Sequence, residues 1–180
     1  KYALLRMEAN VLVTRDPQEI LQPDKVIFPG VGSFDYALGT VEEAGLIETM
    51  KSLTQPTLGI CLGMQMLADG SEEGQKTGLK RIEGQAKHFP PSDTLTVPHM
   101  GWNQLTRIAD DPLMHGVEQS EHVYFVHSYY LPESPYTIAA CDYGIGFTAS
   151  LRQGNFWGCQ FHPELSSTVG EKIFRNFIGL

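Results

Sequence analysis

A cysteine between two glycines is the sharpest chemical feature of the chain. Residues 59–63 (GICLG) have the G-x-nucleophile-x-G pattern of a tight strand-to-helix turn, with Cys61 where many hydrolases carry serine. Such a turn projects the side chain out of the sheet, and its small flanking residues let the strand and the helix approach closely. The N-terminus of the following helix favours the thiolate, which is the reactive form. The pattern predicts a cysteine nucleophile; a buried structural cysteine between two turn glycines is the alternative.

A histidine and a glutamate two residues apart could complete this chemistry. His162 and Glu164 stand in the motif FHPE, directly after a predicted strand. A thiol that attacks an amide needs a base that later protonates the leaving amine, and imidazole titrates in the right range. A carboxylate fixes the tautomer of that base and stabilises the imidazolium. The sequence therefore predicts a triad of Cys61, His162 and Glu164; taken alone, FHPE also fits a turn histidine beside a solvated glutamate.

A glycine-rich turn could supply the oxyanion hole. Residues 28–32 (FPGVG) follow a short apolar run. A tetrahedral intermediate needs backbone N–H donors, and the N–H of Leu62, just after the nucleophile, is one candidate. The N–H of Gly30 or Val31 is the natural second donor. A plain Pro-Gly turn is the alternative for this segment.

These residues must be positioned by a sheet and its helices. Apolar runs and helical patterns alternate along the first half, which favours a parallel sheet covered by helices. Strands are predicted at residues 11–14, 25–28 and 57–60, and helices at 1–8, 35–52 (with a break near Gly45) and 62–68. Short strand-like runs at 122–126, 137–143, 146–152 and 156–160 predict an antiparallel extension. A helix at 169–178 closes the chain, with Ile173, Phe174, Phe177 and Ile178 on one face.

The fold class is therefore α/β: one domain over residues 1–180, with a central, mostly parallel sheet flanked by helices and extended by antiparallel strands. An α/β domain usually opens with a buried strand, whereas the first pattern here is helical. We expect the domain, as given, to lack its first N-terminal strand.

Composition and charge narrow the classes of partner. The chain has 180 residues, 42% hydrophobic and 19% charged, with a net charge of −8, which disfavours nucleic acid and anionic membranes as partners. The three cysteines have neither disulfide-framework nor zinc spacing, and no signal peptide or apolar span stands out, so a reducing cytoplasm is expected. Cys141 and Cys159 are predicted to be core residues, and His88, His115 and His122 surface residues.

Four motifs together resemble the class I glutamine amidotransferases. They are FPGVGSF (28–34), GICLGMQ (59–65), YFVHSYY (124–130) and CQFHPE (159–164), and their order and spacing match over essentially the whole chain. PHMGWN (98–103), and PGVG where many relatives have PGG, narrow the resemblance to the glutaminase subunits of imidazole glycerol phosphate synthases, from histidine biosynthesis. The resemblance implies the flavodoxin-like fold of class I glutaminases.

The resemblance also implies a mechanism, without a cofactor. Cys61 would attack the side-chain amide of glutamine, a glutamyl thioester would form, and His162 would act as acid and base for release of ammonia and for hydrolysis. The ammonia would pass to a (β/α)₈-barrel cyclase (synthase) subunit, which makes imidazole glycerol phosphate and aminoimidazole carboxamide ribotide.

Further site residues follow from the resemblance alone. The substrate glutamine would be held by Gly32, Gln65, Glu73, His127, Ser128 and Tyr129. The surface that faces the synthase would include Pro98, Met100, Trp102 and Tyr124. Trp102 could instead be a core residue and Glu73 a solvated loop residue. Two other functions stay open: a stand-alone cysteine hydrolase of the same fold, such as a peptidase or γ-glutamyl hydrolase, and a catalytically inactive scaffold.

Overall fold

The computed structural model describes residues 1–180 as a single α/β domain. The strands are β1 (Val26–Gly30), β2 (Thr57–Cys61), β3 (Gly70–Ser71), β4 (Gln85–His88), β5 (His99–Ile108), β6 (His122–His127), β7 (Tyr129–Tyr130), β8 (Thr137–Asp142), β9 (Gly146–Gln153) and β10 (Phe156–Cys159). The helices are α1 (Tyr2–Leu5), α2 (Pro17–Ile20), α3 (Phe34–Glu43), α4 (Ile47–Ser52), α5 (Leu62–Gln65) and α6 (Ser167–Gly179), with 3₁₀ turns at Pro112–Met114 and Pro163–Leu165.

The main sheet has seven strands in the order β1-β2-β10-β9-β8-β5-β6. Strands β1, β2 and β10 run parallel, and every other neighbouring pair is antiparallel. A second sheet of three short strands has the order β3-β4-β7. The predicted α/β class with an antiparallel extension is confirmed. The extension is larger than the sequence indicated, so the main sheet is mixed rather than mostly parallel.

The core forms where the antiparallel strands meet α6. Aromatic side chains fill it, among them Phe125, Phe147, Phe161 and Phe177, each at most 1% exposed. Their burial removes large apolar surfaces from water, which is the main driving force for folding. The predicted C-terminal helix is confirmed, except that Ile178 lies beside the buried face rather than on it and is 37% exposed.

Three sequence-based element predictions are wrong. Helix α1 covers only Tyr2–Leu5 of the predicted residues 1–8. Residues 11–14 form no strand: Leu12 and Val13 are 60% and 72% exposed, and β1, the edge strand, pairs only with β2. Helix α5 ends at Gln65 rather than at residue 68. The N–H groups of Leu67 and Ala68 donate to the carbonyls of Met64 and Gln65, three residues back rather than four, so α-helical hydrogen bonding does not continue to residue 68.

Strand β5 was not predicted, although it is the longest in the protein. It pairs with both β6 and β8 and carries the PHMGWN motif into the sheet. Its register places His99 opposite His127 and Trp102 opposite Tyr124. No helix is both long enough and apolar enough to cross a bilayer.

Candidate active site

Cys61 lies on a strained turn at the end of β2. Its backbone has φ 53° and ψ −113°, an unusual conformation for a residue with a Cβ atom, and α5 starts at the next residue. A Cβ atom added to Gly63 would lie 2.1 Å from the Phe28 carbonyl oxygen, and one added to Gly59 would lie 2.6 Å from the Gly63 carbonyl oxygen. The GICLG glycines are therefore required by close backbone packing, and the strand–turn–helix geometry expected from the pattern is present.

His162 and Glu164 follow β10, the strand next to β2. The Nδ1 atom of His162 is 2.8 Å from Oε1 of Glu164, and the Nε2 atom is buried without a hydrogen-bond partner in suitable geometry. The backbone of this turn is held as well: the N–H of His162 donates to the Tyr124 carbonyl, and Oγ of Ser166 donates to the His162 carbonyl. The imidazole is thus fixed in position through both its ring and its backbone.

The electrostatics favour a protonated His162. The Cys61 side chain is the largest cause that raises the pKa of His162, to about 10; the Glu164 carboxylate acts in the same direction, and burial opposes both. Burial by itself would raise the pKa of Glu164, but its hydrogen bond to His162 and the charge of the ring hold that pKa below its usual value. Cys61, His162 and Glu164 are therefore brought together as one interacting group.

The glycine-rich turn after β1 lies beside this group. In the parallel register Gly30 is opposite Cys61, and a Cβ atom on Gly30 would be 2.6 Å from the Gly63 nitrogen. Gly32 has φ +90°, a conformation that favours glycine, and Val31 is 77% exposed. The structure thus places Gly30 against Leu62, the other candidate oxyanion donor, and Val31 and Gly32 directly follow Gly30 in the chain.

The predicted glutamine-binding residues have different environments. Gln65 is 3% exposed, and its Nε2 atom donates to the Tyr129 carbonyl at 2.8 Å and to Oε1 of Gln160 at 2.9 Å. Glu73 is half-buried and accepts the Phe34 N–H at 2.7 Å, so it ties the loop after β3 to the start of α3. It is therefore not a freely solvated loop residue.

His127 belongs to a buried histidine pair that the sequence did not reveal. Its Nε2 atom is 3.0 Å from Nδ1 of His99, and its Nδ1 atom is 2.8 Å from the Tyr129 carbonyl oxygen. Because a carbonyl only accepts, His127 carries its proton on Nδ1 and accepts from His99 through Nε2. Burial lowers the pKa of His99 to about 4 and that of His127 to about 3, so both rings are neutral. Ser128 continues this segment, and its carbonyl accepts the Phe89 N–H.

The predicted partner-facing residues form an exposed patch on β5 and β6. Met100 and Trp102 are 62% and 53% exposed, Pro98 is exposed, and Tyr124 is half-buried. The rings of Trp102 and Tyr124 meet edge to face, with centroids 6.1 Å apart. The alternative that Trp102 is a core residue is therefore wrong.

The remaining predictions for histidine and cysteine residues are confirmed. His88, His115 and His122 are exposed, and Cys141 and Cys159 are buried and unpaired. Burial raises the pKa of both of these thiols to about 12, so they remain protonated.

Two further site residues, Gln160 and Ser166, were missed by the sequence reasoning. Gln160 stands inside the CQFHPE motif, two residues before His162, and this proximity was a signal that could have identified it. Ser166 gave no comparable signal, because its role depends on a contact with the distant Tyr124.

Sequence comparison with known proteins identifies a family and its relatives. The class-I glutamine amidotransferase family matches residues 2–180. The chain is 45% identical over its whole length to the imidazole glycerol phosphate synthase subunit HisH 1 of Vibrio vulnificus, of which it covers 91%. It is 44% identical, over 99% of its length, to the HisH subunit of Pasteurella multocida, of which it covers 89%.

Solved structures share the fold at low identity. A crystal structure of a glutamine amidotransferase aligns with 99% of this chain and 89% of its own at TM-score 0.73 and 19% identity. A glutamine amidotransferase from Thermotoga maritima aligns with 87% of this chain and 63% of its own at TM-score 0.55 and 18% identity. The family match over residues 2–180 and the identity to the HisH subunits show that the chain belongs to the class-I glutamine amidotransferase family.

Proposed function

We propose that the chain hydrolyses glutamine to glutamate and ammonia through Cys61, His162 and Glu164, as the glutaminase subunit of an imidazole glycerol phosphate synthase. The observation that carries this proposal is the buried His162, paired with the partly exposed Glu164 and interacting with a cysteine on a strained turn. The names of the relatives, which are HisH subunits of imidazole glycerol phosphate synthases, supply the assembly, and the name of the family supplies glutamine as the substrate.

The reaction has two halves. The Cys61 thiolate attacks the side-chain amide carbon of glutamine, and the imidazolium of His162 gives its proton to the leaving nitrogen, which departs as ammonia. Neutral His162 then takes a proton from water, whose oxygen attacks the glutamyl thioester and releases glutamate and the thiolate. Glu164 keeps the imidazole in one tautomer and stabilises its charged form in both halves.

The tetrahedral oxyanion would be held by backbone N–H groups. Leu62 supplies one, because it directly follows the nucleophile at the start of α5. The peptide of Gly30 or Val31 supplies the other, since Gly30 is in register with Cys61 on the adjacent strand.

The substrate would bind between the segments that surround Cys61. Gln65, Gly32 and the backbone of residues 127–129 would hold its polar groups, with Glu73 accepting from the α-ammonium. The nitrogen of the Gln65 side chain donates both of its hydrogen bonds within the protein. The orientation of the side chain is therefore fixed before substrate arrives, which supports a role in binding.

The ammonia would be consumed by a (β/α)₈-barrel synthase subunit docked on the patch of Pro98, Met100, Trp102 and Tyr124. Exposed aromatic and thioether side chains are enriched at the centres of protein interfaces, which supports this assignment. The products would be imidazole glycerol phosphate and aminoimidazole carboxamide ribotide. Three unpaired cysteines suit a reducing compartment, and we place the complex in the cytoplasm.

The test uses the complex of this chain with a barrel synthase subunit. Cys61→Ala should abolish glutamine-dependent synthesis of imidazole glycerol phosphate while leaving synthesis from added ammonium salt intact. Cys141→Ala is the matched control, because that buried thiol is outside the site and should leave both activities in place. Full glutamine-dependent activity of Cys61→Ala would refute the proposal, and high glutamine turnover without any partner would favour a stand-alone hydrolase.

A further inference from the structure

A buried chain of amide groups ends at the sulfur of Cys61. Gln160 is 0% exposed, and its Nε2 atom lies 3.8 Å from the Cys61 Sγ atom, within hydrogen-bonding range for sulfur. Its Oε1 atom accepts from Gln65 at 2.9 Å. The backbone N–H of Gln160 donates to the Ala149 carbonyl, so the residue is anchored to β9.

The orientation of the Gln160 carboxamide follows from its neighbours. The Tyr129 carbonyl oxygen can only accept, so the atom of Gln65 that faces it must be the nitrogen. That same nitrogen faces Gln160, which must therefore present its oxygen to Gln65. The nitrogen of Gln160 is then the atom turned towards Cys61, and it offers an N–H to the sulfur.

The surroundings of the sulfur make this donor chemically significant. The Val126 carbonyl oxygen lies 3.9 Å from Sγ, where it can accept from a thiol but repels a thiolate. The Gln160 N–H has the opposite preference, because a donor binds the thiolate more strongly than the thiol. The two contacts therefore favour different forms of the sulfur: the carbonyl favours the thiol, and the Gln160 N–H favours the thiolate.

We propose that Gln160 donates a hydrogen bond that stabilises the Cys61 thiolate, and that Gln65 is the positioning residue that orients Gln160 for this contact. This inference deepens the proposed function, since it rests on Cys61 being the nucleophile. It gives Gln65 a second role, which does not require substrate.

The test measures the thiolate directly, without glutamine and without a synthase subunit. The rate constant for alkylation of Cys61 by iodoacetamide is recorded across pH for the wild-type chain and for Gln160→Met and Gln160→Glu. Loss of one hydrogen bond to a charged group should lower the rate at neutral pH roughly tenfold in Gln160→Met and move the profile to higher pH. Gln160→Glu should lower it further, because a nearly isosteric carboxylate repels the thiolate.

Two additional proteins separate this role from simple packing. Ser150→Ala removes another fully buried polar side chain, whose hydroxyl donates to the Gly158 carbonyl on β10, and should leave the alkylation profile unchanged. Gln65→Met should shift the profile in the same direction as Gln160→Met. The double variant should shift it no further than Gln160→Met alone, because Gln65 acts through Gln160.

The outcomes distinguish the two proposals. Three results would overturn the role of Gln160. They are an alkylation profile that is unchanged in both folded Gln160 variants, equal effects of Gln160→Met and Gln160→Glu, and effects of Gln160→Met and Gln65→Met that add in the double variant. The alkylation profiles of the wild type and its variants could agree with these expectations while the wild-type complex hydrolyses no glutamine. That result would refute the proposed function and leave the hydrogen-bond assignment intact.

Discussion

Acidification should destabilise the protein through the buried pair His99 and His127. The two side chains are 2% and 6% exposed, and burial holds their pKa values at about 4 and about 3, against an ordinary 6.5. A histidine whose pKa is depressed on folding binds its proton more readily in the unfolded chain. Its contribution to stability is therefore complete above pH 6.5 and is lost as the pH falls towards the folded value.

The size of this loss depends mainly on the ordinary pKa. At pH 5.5 an unfolded histidine is mostly protonated, whereas His99 and His127 in the fold are not. Each should therefore lower the free energy of unfolding by about 1.3 kcal/mol between pH 7.5 and pH 5.5, or about 2.6 kcal/mol for the pair. This result holds for any folded pKa well below 5.5.

Urea unfolding at the two pH values, followed by fluorescence of the buried Trp157, measures these differences. Replacing His99 by glutamine should lower stability at both pH values but remove the loss caused by that residue, so the loss from this pair should fall from about 2.6 to about 1.3 kcal/mol. Equal pH dependence in the wild type and in His99→Gln would refute the reasoning, because the other titrating groups are common to both proteins.

Three further predictions concern the strand-to-helix turn at Cys61, the triad and the surface proposed to face the synthase. Gly63→Ala would place a Cβ atom 2.1 Å from the carbonyl oxygen of Phe28 and should cost about 3 kcal/mol in urea unfolding, whereas Gly179→Ala, with open space around it, should cost far less. Glu164→Gln keeps a hydrogen-bond acceptor but loses the charge, so kcat for glutamine hydrolysis should fall roughly tenfold. This is the low end of the range for a hydrogen bond to a charged group, because the Glu164 carboxylate is partly exposed. An unchanged kcat would argue against a role for Glu164. Trp102→Ala should weaken binding to the synthase subunit by about 2 kcal/mol in calorimetry and leave Tm unaltered, and unaltered affinity would exclude it from the interface.

The parts of the fold that have local causes could be predicted from the sequence. The elbow at Cys61 could be predicted because only glycines tolerate the close approach of α5 to β1 and β2. The break between α3 and α4 could be predicted for a similar reason, since Gly45 has φ +68°. In both cases the residue type itself carries the information.

The parts that depend on distant partners could not be predicted in this way. Residues 11–14 are rich in apolar and β-branched residues, but no adjacent strand pairs with them. Strand β5 contains glycine and asparagine near its start, and both residues have a low propensity for strands. The segment is nevertheless a strand, because it pairs with β6 and β8. The tertiary contacts decide the outcome at both places.

The candidate site divides along the same line. Cys61, His162 and Glu164 stand in short motifs whose chemistry is visible in the sequence. The contact of Gln160 with Cys61 and the pairing of His99 with His127 join strands far apart in the chain, so their hydrogen bonds became visible only in the structure.

The central claim is that one sulfur atom attacks the substrate amide, and covalent trapping tests it most directly. The complex is treated with an electrophilic glutamine analogue and digested, and the labelled residue is identified by mass spectrometry. One label per chain should appear on Cys61, excess glutamine should suppress it, and Cys141 and Cys159 should stay unlabelled because burial keeps them as thiols with pKa values of about 12. A complex that turns over glutamine but carries the label on any other residue, or carries none, would contradict the account.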